Sequence, residues 1–209
     1  ICSRTRSTAA PMPAPLLIST ARLQLLATHP GLADAVADYY SRNAAHFAPW
    51  DPPLPANHTE PARVAQALPE GRMAFDAGVG HRWWMVRRDT PGRVIGSVHL
   101  SNLTRGAFQS ASLGYAIDQG QQGQGLMHEA LDAVIAEAFS LSIHLHRIQA
   151  AVRPENTRSL AVMRRLGFRD EGLALDYLYI DGAWRDHRLF ALTHAGFIRP
   201  EHWPRKDLP

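Results

Sequence analysis

The sequence predicts an α+β fold, a mixed sheet with helices on its faces. Three observations carry that prediction. Strand-like and helical runs follow one another in the order β-α-α-β-β-β-α-β-α-β-β along 209 residues. A sustained helical face runs from Leu126 to Phe139, directly after a glycine-rich turn. The pair Asp181-Gly182 separates the last two strand-like runs, a strong hairpin signal.

Each element has its own local reason. Arg22–Leu26 alternates as a first strand, and Leu32, Val36 and Tyr39/Tyr40 then recur at helical spacing after Pro30-Gly31. Prolines in Phe47–Pro53 break any helix, so that stretch is a loop. A second helix covers Glu60–Leu68 and resumes over Arg72–Ala77. Strands follow at Arg82–Arg88, Val94–Leu100 and Ala111–Ile117, the first two joined by a hairpin turn at Asp89-Thr90-Pro91-Gly92. Beyond Gly125, residues Leu126, Met127, Ala130, Leu131, Val134, Ile135, Ala138 and Phe139 share one face, with His128, Glu129, Asp132 and Glu137 between them. Arg147–Val152 is a further strand. Asn156 is placed to cap a short helix that Gly167 ends. Leu175–Ile180 and Ala183–Leu192 close the order.

A chain of this length buries the core of one domain, here residues 12–209. Ile1–Pro11 lacks the apolar stretch of a secretory signal and is expected to be a leader, either a vector remnant or an extended start. No run approaches the ~18 apolar residues of a membrane span, so no membrane partner is expected. The net charge of +3 permits an acidic partner without demanding one. No basic stripe with interleaved aromatics occurs, so direct nucleic-acid binding is not expected. Cys2 is the single cysteine, which excludes an internal disulfide and a cysteine zinc cluster and fits a cytoplasmic location. His144 and His146 alternate on a strand but lack a third ligand, so no metal is expected.

The run Gly120-Gln121-Gln122-Gly123-Gln124-Gly125 lies between a strand and an amphipathic helix. Glycine lets the backbone approach a ligand, and the first amides of a helix point outward unpaired. Such a turn suits a pyrophosphate, although a plain helix entry would look the same. The spacing matches neither a nucleotide-triphosphatase loop nor a dinucleotide fingerprint, and several antiparallel-looking strands precede it.

Leu113-Gly114-Tyr115-Ala116-Ile117, the glycine turn and Leu126-Met127-His128-Glu129-Ala130-Leu131 together resemble the cofactor motif of the GNAT superfamily of acetyltransferases. Ser101–Gly106, Arg165-Leu166-Gly167-Phe168 and Asp176–His187 are similar to its ribosomal-protein branch, which acetylates the N-terminal alanine of a small-subunit ribosomal protein. The likeness runs from about Thr20 to Thr193. It implies a mostly antiparallel central sheet with helices on both faces, splayed between Ala111–Ile117 and Arg147–Val152, and it implies acetyl-CoA as cosubstrate. In one departure, Gly120 stands where the family's loop usually begins with Gln or Arg.

The resemblance also assigns roles. Tyr115, Ala116 and Ile117 would pair with the pantetheine arm, and Gln121, Gln122, Gly123, Gln124, Gly125, Leu126 and Met127 would hold the pyrophosphate. Asn156 would bind pantetheine and Ser159 would protonate the departing thiolate. Capping alone also accounts for Asn156. The tyrosine that serves as acid in many members is replaced by Met163, which gives Ser159 more weight. For the base, Asp176 is favoured as lying two residues from Leu178 and so on the same face; Glu155 and no base at all are the alternatives. One indole of Trp83-Trp84 is expected in the core, the other near Tyr39, Phe47 and Trp50 around the acceptor groove.

Cys2 lies in the expected leader, so direct amine attack is favoured over an acyl-enzyme. At about pH 7.4 roughly a quarter of α-amino groups are neutral, against about one lysine in a thousand. An N-terminal acceptor therefore asks little of a base. Two alternatives stay open: a small-molecule amine as acceptor, and a weakly catalytic acyl-CoA-binding regulatory or ribosome-assembly module.

Overall fold

The computed structural model describes Ala14, residues 16–201 and Trp203. The expected leader Ile1–Pro11, with Cys2, lies outside the described residues. Strands β1 (Leu17–Ser19), β2 (Leu23–Ala27), β3 (His81–Arg87), β4 (Thr90–Thr104), β5 (Ser110–Ile117), β6 (Arg147–Val152), β7 (Arg169–Ile180) and β8 (Ala183–Thr193) form one sheet. Their spatial order is β1-β2-β3-β4-β5-β6-β8-β7. Every pairing is antiparallel except β5 with β6.

Strand periodicity divides the core between the two faces. Trp83 and Met85 of β3 join one cluster with Leu126, Ala130, Leu131 and Val134 of α3 (Leu126–Phe139) and with Leu160 and Met163 of α4 (Thr157–Arg165). Trp84 and Val86 join the opposite cluster with Val36 and Tyr39 of α1 (Ala33–Phe47) and Val64 and Leu68 of α2 (Pro61–Asp76). The indoles thus take opposite faces as expected, but both are buried. Trp84 is sealed beneath α1 and donates to Thr28 Oγ1 (3.1 Å).

Several boundaries differ from expectation for identifiable reasons. α2 runs unbroken through Pro69, which lies on the exposed side where the carbonyl it leaves free can meet water. The β3–β4 turn falls at Arg88-Asp89, earlier than expected, and Arg87 clamps it through two hydrogen bonds to the Asp89 carboxylate. β1 is too short to carry a periodic signal. His144 and His146 precede β6 rather than lying in it; His144 has φ +56° and stacks on Phe197. β7 is longer than Leu175–Ile180 because Gly172 (φ +119°) and Asp176 (φ +49°) interrupt its alternation.

Candidate active site

The glycine turn is built from its anchor outward. Asp118 follows β5, is 6 % exposed, and accepts from the Gly120 amide (2.9 Å) and from Arg42 Nε (2.7 Å). Burial alone would raise its carboxyl, but these hydrogen bonds outweigh that and hold it below the ordinary range. Asn43 Oδ1 accepts from the Gln119 amide (3.0 Å), so helix α1 fixes the start of the loop. The Gly120 amide thus ties the loop to Asp118.

Gly123 and Gly125 both adopt φ +75°, a conformation that costs other L-residues about 1–2 kcal/mol. A Cβ on Gly123 would meet nothing within 4 Å, so the turn is open on its outer side. Gly125 is the N-cap of α3 and provides no side-chain cap. The amides of Gly123 through His128 consequently have no partner among the described residues, and the first intrahelical bond runs from the Glu129 amide to the Gly125 carbonyl (3.1 Å). These donors, at the positive end of the α3 dipole, suit an anion.

Three guanidinium groups from distant parts of the chain surround the turn. Arg22 of the Thr20–Leu23 corner donates to the Gln124 carbonyl (2.9 Å) and pairs with Glu129 (2.6 Å). Arg87 reaches Gln121 Oε1 (3.4 Å) and Gln124 Oε1 (3.2 Å). Arg158 of α4 donates to Gln122 Oε1 (2.6 Å), while the Gln122 amide donates to His46 Nε2 (2.9 Å). The free amides and this arginine collar together fit a pyrophosphate.

Beside the turn the sheet opens. β5 and β6 pair only at Ser110↔Arg147, Ala111↔Ile148 and Ser112↔Gln149. Beyond Ser112, β5 stays paired with β4 as far as Ile117, and β6 stays paired with β8 as far as Val152. Tyr115, Ala116 and Ile117 therefore border an unpaired edge that an extended chain can join as a strand. Leu126 and Met127 are buried beneath the turn, so only their amides are available to a ligand.

Helix α4 flanks the opening. Asn156 is its cap, with Oδ1 accepting from the Ser159 amide (3.1 Å). Ser159 is half-buried, and its carbonyl accepts from Tyr115 Oη (3.5 Å), which ties α4 to β5. Burial pushes the Tyr115 phenol up to about 12, so it remains a proton donor at neutral pH. Met163, at the position of the family's tyrosine, is fully buried core.

Asp176 is placed differently from Ser159. It sits in an exposed bulge of the edge strand β7, where the stretch from Ala174 to Leu178 faces only His187 to Arg185 of β8. Its amide donates to Asp186 Oδ1 (2.9 Å). The left-handed backbone breaks the strand alternation, so the expectation that Asp176 shares a face with Leu178 by simple spacing does not hold. Glu155 is exposed and pairs with Arg153 (3.4 Å).

A second concavity lies beside the loop that follows α1. Arg153, one residue beyond β6, donates to the Pro49 carbonyl (2.6 Å) and stacks 5.4 Å from the Trp50 ring. This fastens the proline loop after α1 against the end of β6. Between that loop and the β7–β8 hairpin lies a cavity of about 390 Å³ lined by Phe47, Asp51, Leu54, His58 and Tyr179. Among the described residues no group of His, Cys, Asp and Glu is arranged to hold a metal, and no helix is long and apolar enough to cross a membrane.

An anion-binding helix start beside a splayed parallel strand pair is the architecture of an acyl-CoA-dependent transferase, and the chain belongs to the acetyltransferase (GNAT) domain family, whose profile matches residues 22–169. It is an N-acetyltransferase, and acetyl-CoA is its acetyl donor. The chain is 40 % identical over 176 residues to the [ribosomal protein uS5]-alanine N-acetyltransferase of Escherichia coli (strain K12), covering 84 % of this chain and 90 % of that protein. It superposes on the ribosomal-protein-S5-alanine acetyltransferase of Vibrio fischeri with a TM-score of 0.84 at 32 % identity, covering 88 % of this chain and all of the other. Mycobacterium smegmatis RimJ in complex with CoA-disulfide gives a TM-score of 0.76 at 32 % identity, over 82 % of this chain and 81 % of that one.

The motif Gly123-x-Gly125 and the Asn156–Ser159 spacing were visible in the sequence, and the structure brings them to the two sides of one opening. The arginine collar and the Asp51 cavity were not. Asp118 alone of the missed residues left a local signal, a capping residue two positions before Gly120.

Proposed function

We propose that this chain transfers the acetyl group of acetyl-CoA to the N-terminal alanine amine of a small-subunit ribosomal protein, by direct attack and in the cytoplasm. The observation that carries the proposal is the gap between β5 and β6, bordered by unpaired strand edges and beginning beside the arginine-ringed amides of α3. The alanine acceptor is supported by the relative at 40 % identity over most of both chains.

The turn Gln121–Gln124, with Gly125, Leu126 and Met127, holds the pyrophosphate through backbone amides. The edge of Tyr115, Ala116 and Ile117 aligns the pantetheine arm, and Asn156 contributes to that arm while capping α4. The neutral α-amine attacks the thioester carbonyl; a C–N bond forms and the C–S bond breaks. Ser159 supplies a proton to the departing sulfur. Positioning accounts for much of the rate, because the two substrates meet in a fixed opening.

Thiol release from acetyl-CoA, followed with alanine-initiated peptides, N-blocked lysine peptides and small amines, tests the acceptor. Activity confined to free alanine N-termini is expected. Turnover of small amines alone would replace the acceptor, and binding without turnover would make the chain an acyl-CoA-binding module.

A further inference from the structure

Acetyl transfer needs an uncharged amine, yet most α-amino groups, with pKa about 7.7–8.0, are protonated at neutral pH. An acceptor therefore arrives as an ammonium ion and must lose a proton next to the thioester. Asp176 and Glu155 are both exposed, and both belong to surface networks. The cavity between the proline loop and the β7–β8 hairpin offers a different group.

Asp51 lines that cavity and is half-buried. Its carboxylate has no hydrogen-bond or ion-pair partner among the described residues, whereas the other carboxylates that are at least half-buried, Asp118, Glu129, Glu137 and Asp186, each accept a hydrogen bond. The loop that carries it is rigid where it matters. The Asp51 amide donates to the Phe47 carbonyl (3.0 Å), and Arg153 grips Pro49 and Trp50 from the end of β6. Asp51 is thus held in the loop that Arg153 fastens to the open end of β6, in a cavity lined by Phe47, Leu54, His58, Tyr179 and Asp181. A half-buried carboxylate without a direct hydrogen bond or ion pair leaves room for a cationic partner.

We propose that Asp51 completes that pair with the acceptor's α-ammonium group and takes its proton, delivering the neutral amine to the thioester. One N–H bond breaks and one O–H bond forms; the lone pair released on nitrogen then makes the C–N bond as sulfur leaves. The assignment rests on the acetyltransfer reading but not on the identity of the acceptor. Burial raises the Asp51 carboxyl, against the opposing pull of Arg82 and His58, which makes it a better proton acceptor than a surface carboxylate. The other ionisable groups around it are Tyr39 and Tyr40 on α1 and Asp181 at the hairpin tip, the last paired with Arg185.

The test compares Asp51→Asn, Asp51→Glu and Asp176→Asn with the parent, using whichever amine the parent acetylates. Initial rates are taken from about pH 6.5 to 9, and CoA binding is followed by calorimetry. Asp51→Asn should lower kcat/KM about 30-fold or more at pH 7 with CoA affinity within twofold. The deficit should shrink toward pH 9, where the acceptor deprotonates unaided. Asp51→Glu, which keeps the charge, should retain the parent's pH profile and at least about a tenth of its rate. Unaltered kcat/KM in Asp51→Asn, a deficit that does not change with pH, or a pH-dependent loss in Asp176→Asn instead would each overturn the assignment. If Asp51→Asn does not fold, the glutamate variant decides: the parent's pH profile with at least about a tenth of its rate supports a role for the charge, and a folded Asp51→Glu below that rate refutes it. An inert parent would sink the acetyltransfer reading itself, a result distinct from an active parent with an indifferent Asp51.

Discussion

Replacing Gly123 by valine probes the phosphate grip at its narrowest requirement. The residue is exposed and its surroundings are empty, so valine meets no clash. What changes is the backbone: φ +75° is disfavoured for a β-branched side chain, with a strain of about 1–3 kcal/mol. If the turn relaxes, at least one amide bond to the charged pyrophosphate is lost, worth about 1.5–3 kcal/mol. Binding costs either the re-imposed strain or the lost bond, so about 1–3 kcal/mol, or about 5- to 150-fold in Kd. Asparagine tolerates the left-handed region, so Gly123→Asn should lose about tenfold or less. Calorimetric titration with CoA on both variants measures the contrast. A Kd for Gly123→Val within threefold of the parent, or equal losses in the two variants, would refute the backbone argument.

Other consequences follow from named contacts. Asn156→Ala removes the cap of α4 and should cost about 1 kcal/mol, or roughly 2–4 °C in Tm. Asn156→Asp should restore Tm yet leave CoA about fivefold weaker if the amide also serves pantetheine; full recovery of both would reduce Asn156 to a cap. Ser159→Ala should lower kcat about 10²-fold with CoA affinity within twofold, and near-normal turnover would remove Ser159 as the acid. His81 is 3 % exposed against Phe75 and Trp83, and burial lowers its imidazole from 6.5 to about 4. The unfolded chain therefore binds that proton first, and stability falls as pH drops from 6.5 toward 4. Between pH 6.5 and 5 the loss is about 1.6 kcal/mol, or roughly 3–6 °C in Tm. His81→Leu should flatten this dependence in thermal melts; an unchanged slope would contradict the account.

The parts of the fold that could be read in the sequence were those with sustained periodicity or punctuation. The α3 face, the Trp83-Trp84 alternation and the Asp181-Gly182 hairpin all appear where their local patterns put them. The helix interruption expected near Pro69 is absent because its cost depends on which side of the helix the proline occupies, and that is a tertiary property. β7 was truncated because two positive-φ residues hide its alternation. For the site, glycines and caps mark themselves locally. Arg22, Arg87 and Arg158 converge only through the sheet, from three separate elements, and each taken alone reads as a solvated charge. Asp51 is likewise ordinary in a proline loop until Arg153 fastens that loop to β6.

Direct transfer to an α-amine is the centre of the account, and one labelling experiment tests it most directly. A peptide bearing both a free N-terminal alanine and an internal lysine is incubated with the protein and acetyl-labelled acetyl-CoA, and the label is located by tandem mass spectrometry on peptide and protein alike. The account predicts label on the alanine nitrogen alone. Label on the lysine, or an acetyl group retained on the protein at a rate competent for turnover, would contradict it.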